Sequence, residues 1–375
     1  MKSIIQTAFV ICACMVLALP LLRFNRTGTV SRTENRNLAR EPCLITDGRV
    51  NKNLFREYST YLEDRFGGRK QLILLNRKLD LLLHRKVYPN AFEGKDGWCF
   101  FLNRGSNYAD FFKRNLMDKG EIEGFKNDVS NVVAWCNANG MQCIFLICPN
   151  KHNIYPEKYC ATQPEGISRA DQMCTVFEEL GTNYIFPRDF LLAQKSKYDF
   201  PLYYETDTHW NAQGAYLASL LLKEKIKALF PTVEFPDIEY STTIEYGHIG
   251  DINGMMAGRN DLTSTYPVMK PIGHEQGEYY TYLEKNRPSP LVPDSAMTNV
   301  YDFIHTQSPD STLPRAIVFR DSFFGALEPF VSPLFAETEY IWTCFGDQWK
   351  EHVLDYKPDI IIFEKVERAG PTFFS

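Results

Sequence analysis

The sequence predicts an α/β fold, a three-layer sandwich with a mostly parallel sheet between helices. Three observations carry this. Short, nearly continuous apolar runs such as "MQCIFLIC" (141–148), "RAIVF" (315–319) and "DIIIFEKV" (359–366) read as strands buried on both faces. Amphipathic helical stretches alternate with them. Polar clusters follow the runs, as expected where functional groups gather at the carboxyl ends of parallel strands.

Bulk composition narrows the partners. The chain has 375 residues, 44% hydrophobic and 23% charged, which suits one large domain with additions or two domains. Net charge is −5 and no basic stripe stands out, which argues against a nucleic-acid partner. Aromatics reach 14%, which serves a core first and a carbohydrate-facing surface second.

The elements follow in order. "IIQTAFVICACMVLALPLL" spans residues 4–22 without a charge. As a helix it rises about 28 Å, nearly a hydrocarbon core. No A-x-A cleavage site is evident, so residues 1–22 are expected to be an uncleaved signal-anchor, with a cleaved signal peptide as the alternative. Either way the body is expected to be exported, periplasmic or in the cell envelope, held at the inner membrane by residues 4–22. Residues 23–90 read as a polar tether and a helical hairpin. Its first helix carries Leu54, Tyr58, Tyr61 and Leu62 on one face, and its second repeats Leu72, Leu75, Leu79 and Leu82.

Residues 91–375 form the expected catalytic body. "AFEGKDGWCFFL" signals a hairpin around Lys95-Asp96-Gly97. Residues 121–139 are amphipathic and end at Gly140, a good helix stop. A helix through Met173, Val176, Phe177 and Leu180 stops at Gly181, and "NYIFP" follows as a short strand. Ala215, Ala218, Leu222, Ile226 and Leu229 mark another helix. Residues 231–312 look like a long irregular insertion. After "RAIVF" come a helix beyond Ser322, the strand "EYIWTCF" (339–345), a short helix and the last strand.

There are ten Cys and no C-x-x-C pair, so zinc and dithiol chemistry are not indicated. Cys136, Cys143 and Cys148 sit in apolar runs as core residues, while Cys160 and Cys174 flank a loop and are placed to pair in an exported body. No cofactor or metal motif appears. His209 has no partner His at ligand spacing.

Two polar clusters together suggest chemistry. Arg320, Asp321 and Ser322 follow one strand, so Ser322 projects its hydroxyl at the sheet edge with its N–H at a helix start. "DTHWN" supplies Asp207 and His209 at i, i+2, which places both side chains on one side of an extended segment. His209 then takes the hydroxyl proton and Asp207 holds its tautomer. Each motif alone has a plainer reading: Asp321-Ser322 is a helix cap, and His209 a buried core histidine. Their joint placement at strand ends favours the triad.

These residues resemble a known family. "D-T-H-W-N" followed later by "D-S-F" resembles the SGNH-hydrolase-like polysaccharide O-acetyltransferases of the AlgX/AlgJ type. "ENRNLAREP", "FEGKDGWCFF", "PNKHNIYPEKY", "GDINGMMA" and "YKPDIIIFEKVER" are similar to further stretches of that family, across residues 34–368. DHHW proteins are the nearest competitor, but the middle residue here is Thr208. The resemblance implies an SGNH-hydrolase-like, flavodoxin-like sandwich. It implies Ser322 as nucleophile, His209 as base and Asp207 as its orienter, passing acetyl through acetyl-Ser322 to hydroxyls of an exported polysaccharide. It also implies a membrane acyltransferase partner that delivers acetyl. Asn150 is the candidate second oxyanion donor, with Lys151, Tyr155, Arg320 and Trp210 as candidates for lining the glycan site. Arg320 departs from the glycine usual before Asp-Ser. An esterase or deacetylase with the same triad, or a non-catalytic glycan-binding assembly protein, are the alternatives.

Overall fold

The computed structural model describes residues 24–26, 30–31, 36–46, 49–69, 71–72, 75, 79, 87–256, 259, 261–272, 278–287 and 303–374. The expected anchor at residues 4–22 lies outside them, and among the described residues no helix is long and apolar enough to cross a membrane. The chain divides into two compact units, Met1–Tyr88 with Asn253–Arg259, and Pro89–Ile252 with Asn260–Ser375.

The first unit contains helix α1 (Leu54–Arg65). Its end is stapled to the tether: Asp64 accepts the Ala39 N–H at 2.7 Å and Arg65 donates to the Asn25 and Ala39 carbonyls. Tyr58 and Leu62, expected on a covered face, are exposed. Leu72, Leu75 and Leu79 are helical and exposed, while Leu82 lies outside the described residues.

The second unit is built on a sheet. The hairpin β1 (Ala91–Glu93) and β2 (Cys99–Phe101) turns through Asp96 and Gly97, both at positive φ (55° and 78°). Helix α2 (Lys119–Ala138) starts at an Asp118/Glu121 capping box and ends before Gly140 at φ 74°. Then come β3 (Gln142–Cys148), α3 (Arg169–Glu179), β4 (Tyr184–Ile185) and α4 (Ala212–Leu229). The chain continues through β5 (Tyr240–His248), β6 (Ser264–Pro271), β7 (Thr281–Arg287) and β8 (Phe303–Gln307). It closes with β9 (Arg315–Phe319), β10 (Glu337–Ile341), α5 (Asp347–Tyr356) and β11 (Ile360–Val366).

Seven strands form one sheet in the order β7-β8-β10-β9-β11-β3-β4. Pairing is parallel from β10 to β4 and antiparallel at the β7-β8-β10 edge. The pleat sorts side chains into two cores. Ile144, Leu146, Val318 and Ile362 pack with Ala218 and Leu222 of α4 on one face. Phe145, Phe319 and Phe363 pack with Phe125 of α2, Phe177 of α3 and Trp349 of α5 on the other. Burial on both faces is why these runs are apolar without alternation.

Three expectations need correction. Residues 231–312 are not irregular throughout: β5 pairs with β6, and β7 and β8 extend the sheet. β5 is mostly exposed, so it shows little apolar alternation. The segment after Ser322 is a five-residue 3-10 helix, Ser322–Ala326, followed by a four-residue α-helix, Glu328–Val331, and a 3-10 turn, Ser332–Leu334, each with a proline in its first turn. Proline lacks the N–H that a longer helix needs. Cys160 and Cys174 are free thiols rather than a pair, and Cys136, Cys143 and Cys148 are buried.

Phe145 is fully buried, with its ring 4.8 Å from Phe177 and 5.1 Å from Phe363. Phe145→Ala is expected to cost about 3–5 kcal/mol, read from the denaturant midpoint. An unchanged midpoint would contradict this packing.

Candidate active site

Strands β9, β11 and β3 are neighbours and parallel, so their carboxyl ends open on one edge. β9 delivers Arg320, Asp321 and Ser322, β11 delivers Glu367 and Arg368, and β3 delivers Asn150 and Lys151. Asp321 clamps the first turn. Its Oδ1 accepts the Phe323 N–H at 2.9 Å, its Oδ2 accepts the Val366 N–H at 2.8 Å, and its own N–H donates to Glu364. The plain capping role is therefore real, and it fixes the backbone that carries Ser322.

Asp207 and His209 sit in a bent loop closed by the antiparallel bridge between Tyr203 and Trp210. The expected extended geometry is absent. Instead the loop curls until Asp207 Oδ1 accepts both the His209 N–H at 3.1 Å and the imidazole Nδ1 at 2.6 Å. The opposite ring nitrogen, Nε2, lies 2.8 Å from Ser322 Oγ. Ser322, His209 and Asp207 thus form one hydrogen-bonded chain. Such a chain can pass a hydroxyl proton to the imidazole while the carboxylate steadies the resulting charge. Trp210 ties the two loops, its indole N–H donating to the Phe323 carbonyl at 3.0 Å. Asn211 caps α4 by accepting from Gln213 and Gly214.

Three residues that the sequence reading did not place complete this loop. Asp207 Oδ2 accepts the Asp251 N–H at 2.9 Å and faces His248 Nε2 at 3.4 Å. Asp251 in turn accepts from both the N–H and the hydroxyl of Thr208. Gly250 lets this strand end press on the loop, since a Cβ there would collide with the Thr206 carbonyl and the Asp207 nitrogen. "GDINGMMA" was the available signal for Gly250 and Asp251; nothing in the sequence singles out His248.

The electrostatics follow. Burial pushes the Asp207 carboxyl up, but its bonds from His209 and His248 outweigh that and hold it well below the usual range. Burial pushes the His209 imidazole down, yet the bond and charge of Asp207 and the charge of Asp251 raise it above its ordinary value. Asp207, His209 and Asp251 bring ligand atoms within 4.8 Å of one another. Every one of those carboxylate oxygens and the imidazole Nδ1 is already hydrogen-bonded, so the arrangement reads as a proton relay rather than a metal cradle.

The five residues expected at an oxyanion or glycan surface are all buried. Lys151 spends its ammonium on the carbonyls of Tyr204, Glu205 and Asp207 at 2.7–3.1 Å, and burial lowers it to about 8. It is a strut for the Asp207 loop, with no donor left for a sugar. The Tyr155 hydroxyl accepts the Leu202 N–H. Arg320 donates to the Asp321 carbonyl and lies over Trp342. Asn150 donates its amide to Asp110 and accepts from Arg368. Trp210 is in the core. A half-exposed ring group, Tyr204, His248 and Tyr266, stands beside Asp207 instead, with Tyr204 and His248 stacked at 4.2 Å.

Two outcomes are expected. His209 titrates above about 6.5, because Asp207 stabilises the imidazolium, and Asp207→Asn lowers that midpoint in an NMR titration. An unmoved midpoint would contradict the coupling. Lys151→Met leaves three carbonyls without their donor and costs about 3 kcal/mol of unfolding free energy. A loss near zero would contradict the strut.

Known proteins share sequence and fold features with this chain. The family described as SGNH hydrolase-like domain, acetyltransferase AlgX, matches residues 91–283. That span holds Asp207 and His209 and ends before Ser322. The chain is 22% identical over 210 residues to the probable alginate O-acetylase AlgJ of Azotobacter vinelandii, covering 55% of this chain and 52% of that protein. It is 24% identical over 187 residues to the protein of the same description from Pseudomonas syringae pv. tomato, covering 50% and 46%. The chain thus spans about half the length of the curated relatives it matches. Among solved structures, Bacillus cereus PatB1 with a sulfonyl adduct superposes with TM-score 0.54 at 16% identity, over 75% of this chain and 95% of that one, a likeness of fold. With the family match covering just over half of its residues, the chain belongs to the SGNH hydrolase-like AlgX acetyltransferase family.

Proposed function

We infer that this chain is an O-acetyltransferase that carries acetyl on Ser322 and delivers it to hydroxyls of an exported polysaccharide. The observation that carries the reading is the hydrogen-bonded chain Ser322–His209–Asp207 at the strand ends of a member of this family. Ser322 Oγ attacks the acetyl carbonyl and gives its proton to His209 Nε2. The bond to the donor oxygen breaks, and that oxygen leaves with the proton. A sugar hydroxyl then attacks acetyl-Ser322, with His209 again taking the proton and returning it to Ser322 as the ester forms. Asp207 holds the imidazolium at both steps. The Ser322 N–H, which has no acceptor among the described residues, faces the developing oxyanion.

The polysaccharide acceptor is supported by the naming of the AlgJ relatives as probable alginate O-acetylases. The half-exposed rings of Tyr204, His248 and Tyr266 offer an apolar face for a sugar next to the triad. In this reading residues 91–375 are the catalytic body, residues 1–22 anchor or export it, residues 23–90 tether it, and a membrane acyltransferase supplies acetyl.

The test is a chromogenic acetyl ester with and without added oligosaccharides, products being identified by mass spectrometry. Ser322→Ala and His209→Ala should each lose at least on the order of a thousandfold in ester cleavage. Acetylated sugar supports the transferase. Acetate alone, with saturating sugar present, would make the protein an esterase. Equal rates in wild type and both variants would overturn the triad.

A further inference from the structure

The turn around Ser322 offers few donors for an oxyanion. The Phe323 N–H, next along the chain, is held by Asp321 Oδ1 at 2.9 Å. The Asn150 carboxamide donates to Asp110 Oδ2 at 3.3 Å. The Trp210 N–H is bound to the Phe323 carbonyl, and the Lys151 ammonium to three carbonyls. Beyond the Ser322 N–H, a tetrahedral oxygen still needs a partner.

Arg368 stands against Phe323, the residue after the nucleophile. It follows β11, the strand between the one that delivers Ser322 and the one that delivers Asn150. Its Cζ lies 4.9 Å from the ring centroid of Phe323. The His209 imidazole lies 4.8 Å from the same ring, so guanidinium and base flank one side chain. Arg368 is half-buried, and its one hydrogen bond among the described residues runs from Nη1 to Asn150 Oδ1 at 3.4 Å. No carboxylate forms an ion pair with it among the described residues, although the charges of Asp321, Asp251 and Asp207 reach it. Asn150 is fixed in turn, by Asp110 and by its N–H to Glu367 at 2.8 Å.

We propose that Arg368 is a catalytic residue whose guanidinium donates to the oxyanion formed on the acetyl carbonyl, and that Asn150 is the positioning residue that aims it. The inference rests on the acetyl-Ser322 reading. When Ser322 Oγ bonds to the carbonyl carbon, the π pair moves onto oxygen and the hydroxyl proton moves to His209 Nε2. Arg368 and the Ser322 N–H share the new charge, and neither gives up its proton. Collapse returns the pair to the C=O bond and expels the donor oxygen, which takes the proton from His209. A fixed cation here also opposes the imidazolium before the oxyanion exists. Its benefit therefore appears only as the negative charge develops, which is stabilisation of the transition state over the ground state.

The test uses the full chain and a neutral acetyl ester without sugar, so that no acidic acceptor is present. Arg368→Ala and Arg368→Gln should lose about 10²–10³-fold in kcat with KM little changed. Arg368→Lys should retain more than either, and Asn150→Ala should lose less than Arg368→Ala. Added guanidinium ion should restore part of the rate of Arg368→Ala, which it would not do for a folding defect. Wild-type kcat in Arg368→Ala would overturn the proposal, as would a rate that guanidinium cannot rescue together with equal loss in Arg368→Lys. A defect confined to KM for the ester, with kcat unchanged, would also overturn it, moving Arg368 to substrate binding. An inert wild type, or an active His209→Ala, would sink the acetyl-serine reading instead, so the two failures are told apart.

Discussion

A largely buried carboxylate at Asp207 is the constraint on which the site depends. An unpartnered buried charge costs several kcal/mol, so the surrounding chain must supply donors. It does so from three places: the His209 ring and backbone, the Asp251 N–H, and His248 on β5. Each donor demands a further support. Lys151 reaches from the end of β3 to pin the loop carbonyls, and Gly250 gives the clearance that brings Asp251 within reach. Trp210 then couples the loop to the Ser322 turn, so holding Asp207 also aligns His209 with Ser322.

The sheet below carries a second layer of buried charge. Glu364 receives the Asp321 N–H, and burial with the Asp321 charge raises it to about 8. Glu367 receives the Asn150 N–H, and burial with the Asp110 charge raises it to about 8 as well. Both therefore hold a proton more readily than an exposed carboxyl. Asp321 caps Phe323 and binds the Val366 N–H at once. The three parallel strand ends are thus joined by side chains as well as by the ladder. That rigidity suits a site whose donors must be in place before charge appears.

Much of this was legible in the sequence, for a physical reason. Strands buried on both faces leave continuous apolar runs, so β3, β9 and β11 were readable, and with them the edge where Ser322 sits. The amphipathic helices and the stop at Gly140 were readable likewise. Strands β5 to β8 were not, because an exposed hairpin and an edge strand carry little apolar period. Burial also hid the roles of Lys151, Tyr155 and Trp210. Polar and aromatic types after a strand suggest a ligand surface, whereas here they satisfy backbone groups and fill a core. His248 and Arg368 reach the site from remote segments, and only folding brings them to Asp207 and Phe323.

The central claim is that Ser322 is made nucleophilic by His209. The most direct measurement is covalent labelling with a sulfonyl fluoride, followed by peptide mapping. The account predicts a single adduct on Ser322 in the wild type, with labelling strongly slowed in His209→Ala although Ser322 is still present. Labelling on other residues alone, or labelling of Ser322 at the same rate without His209, would contradict it.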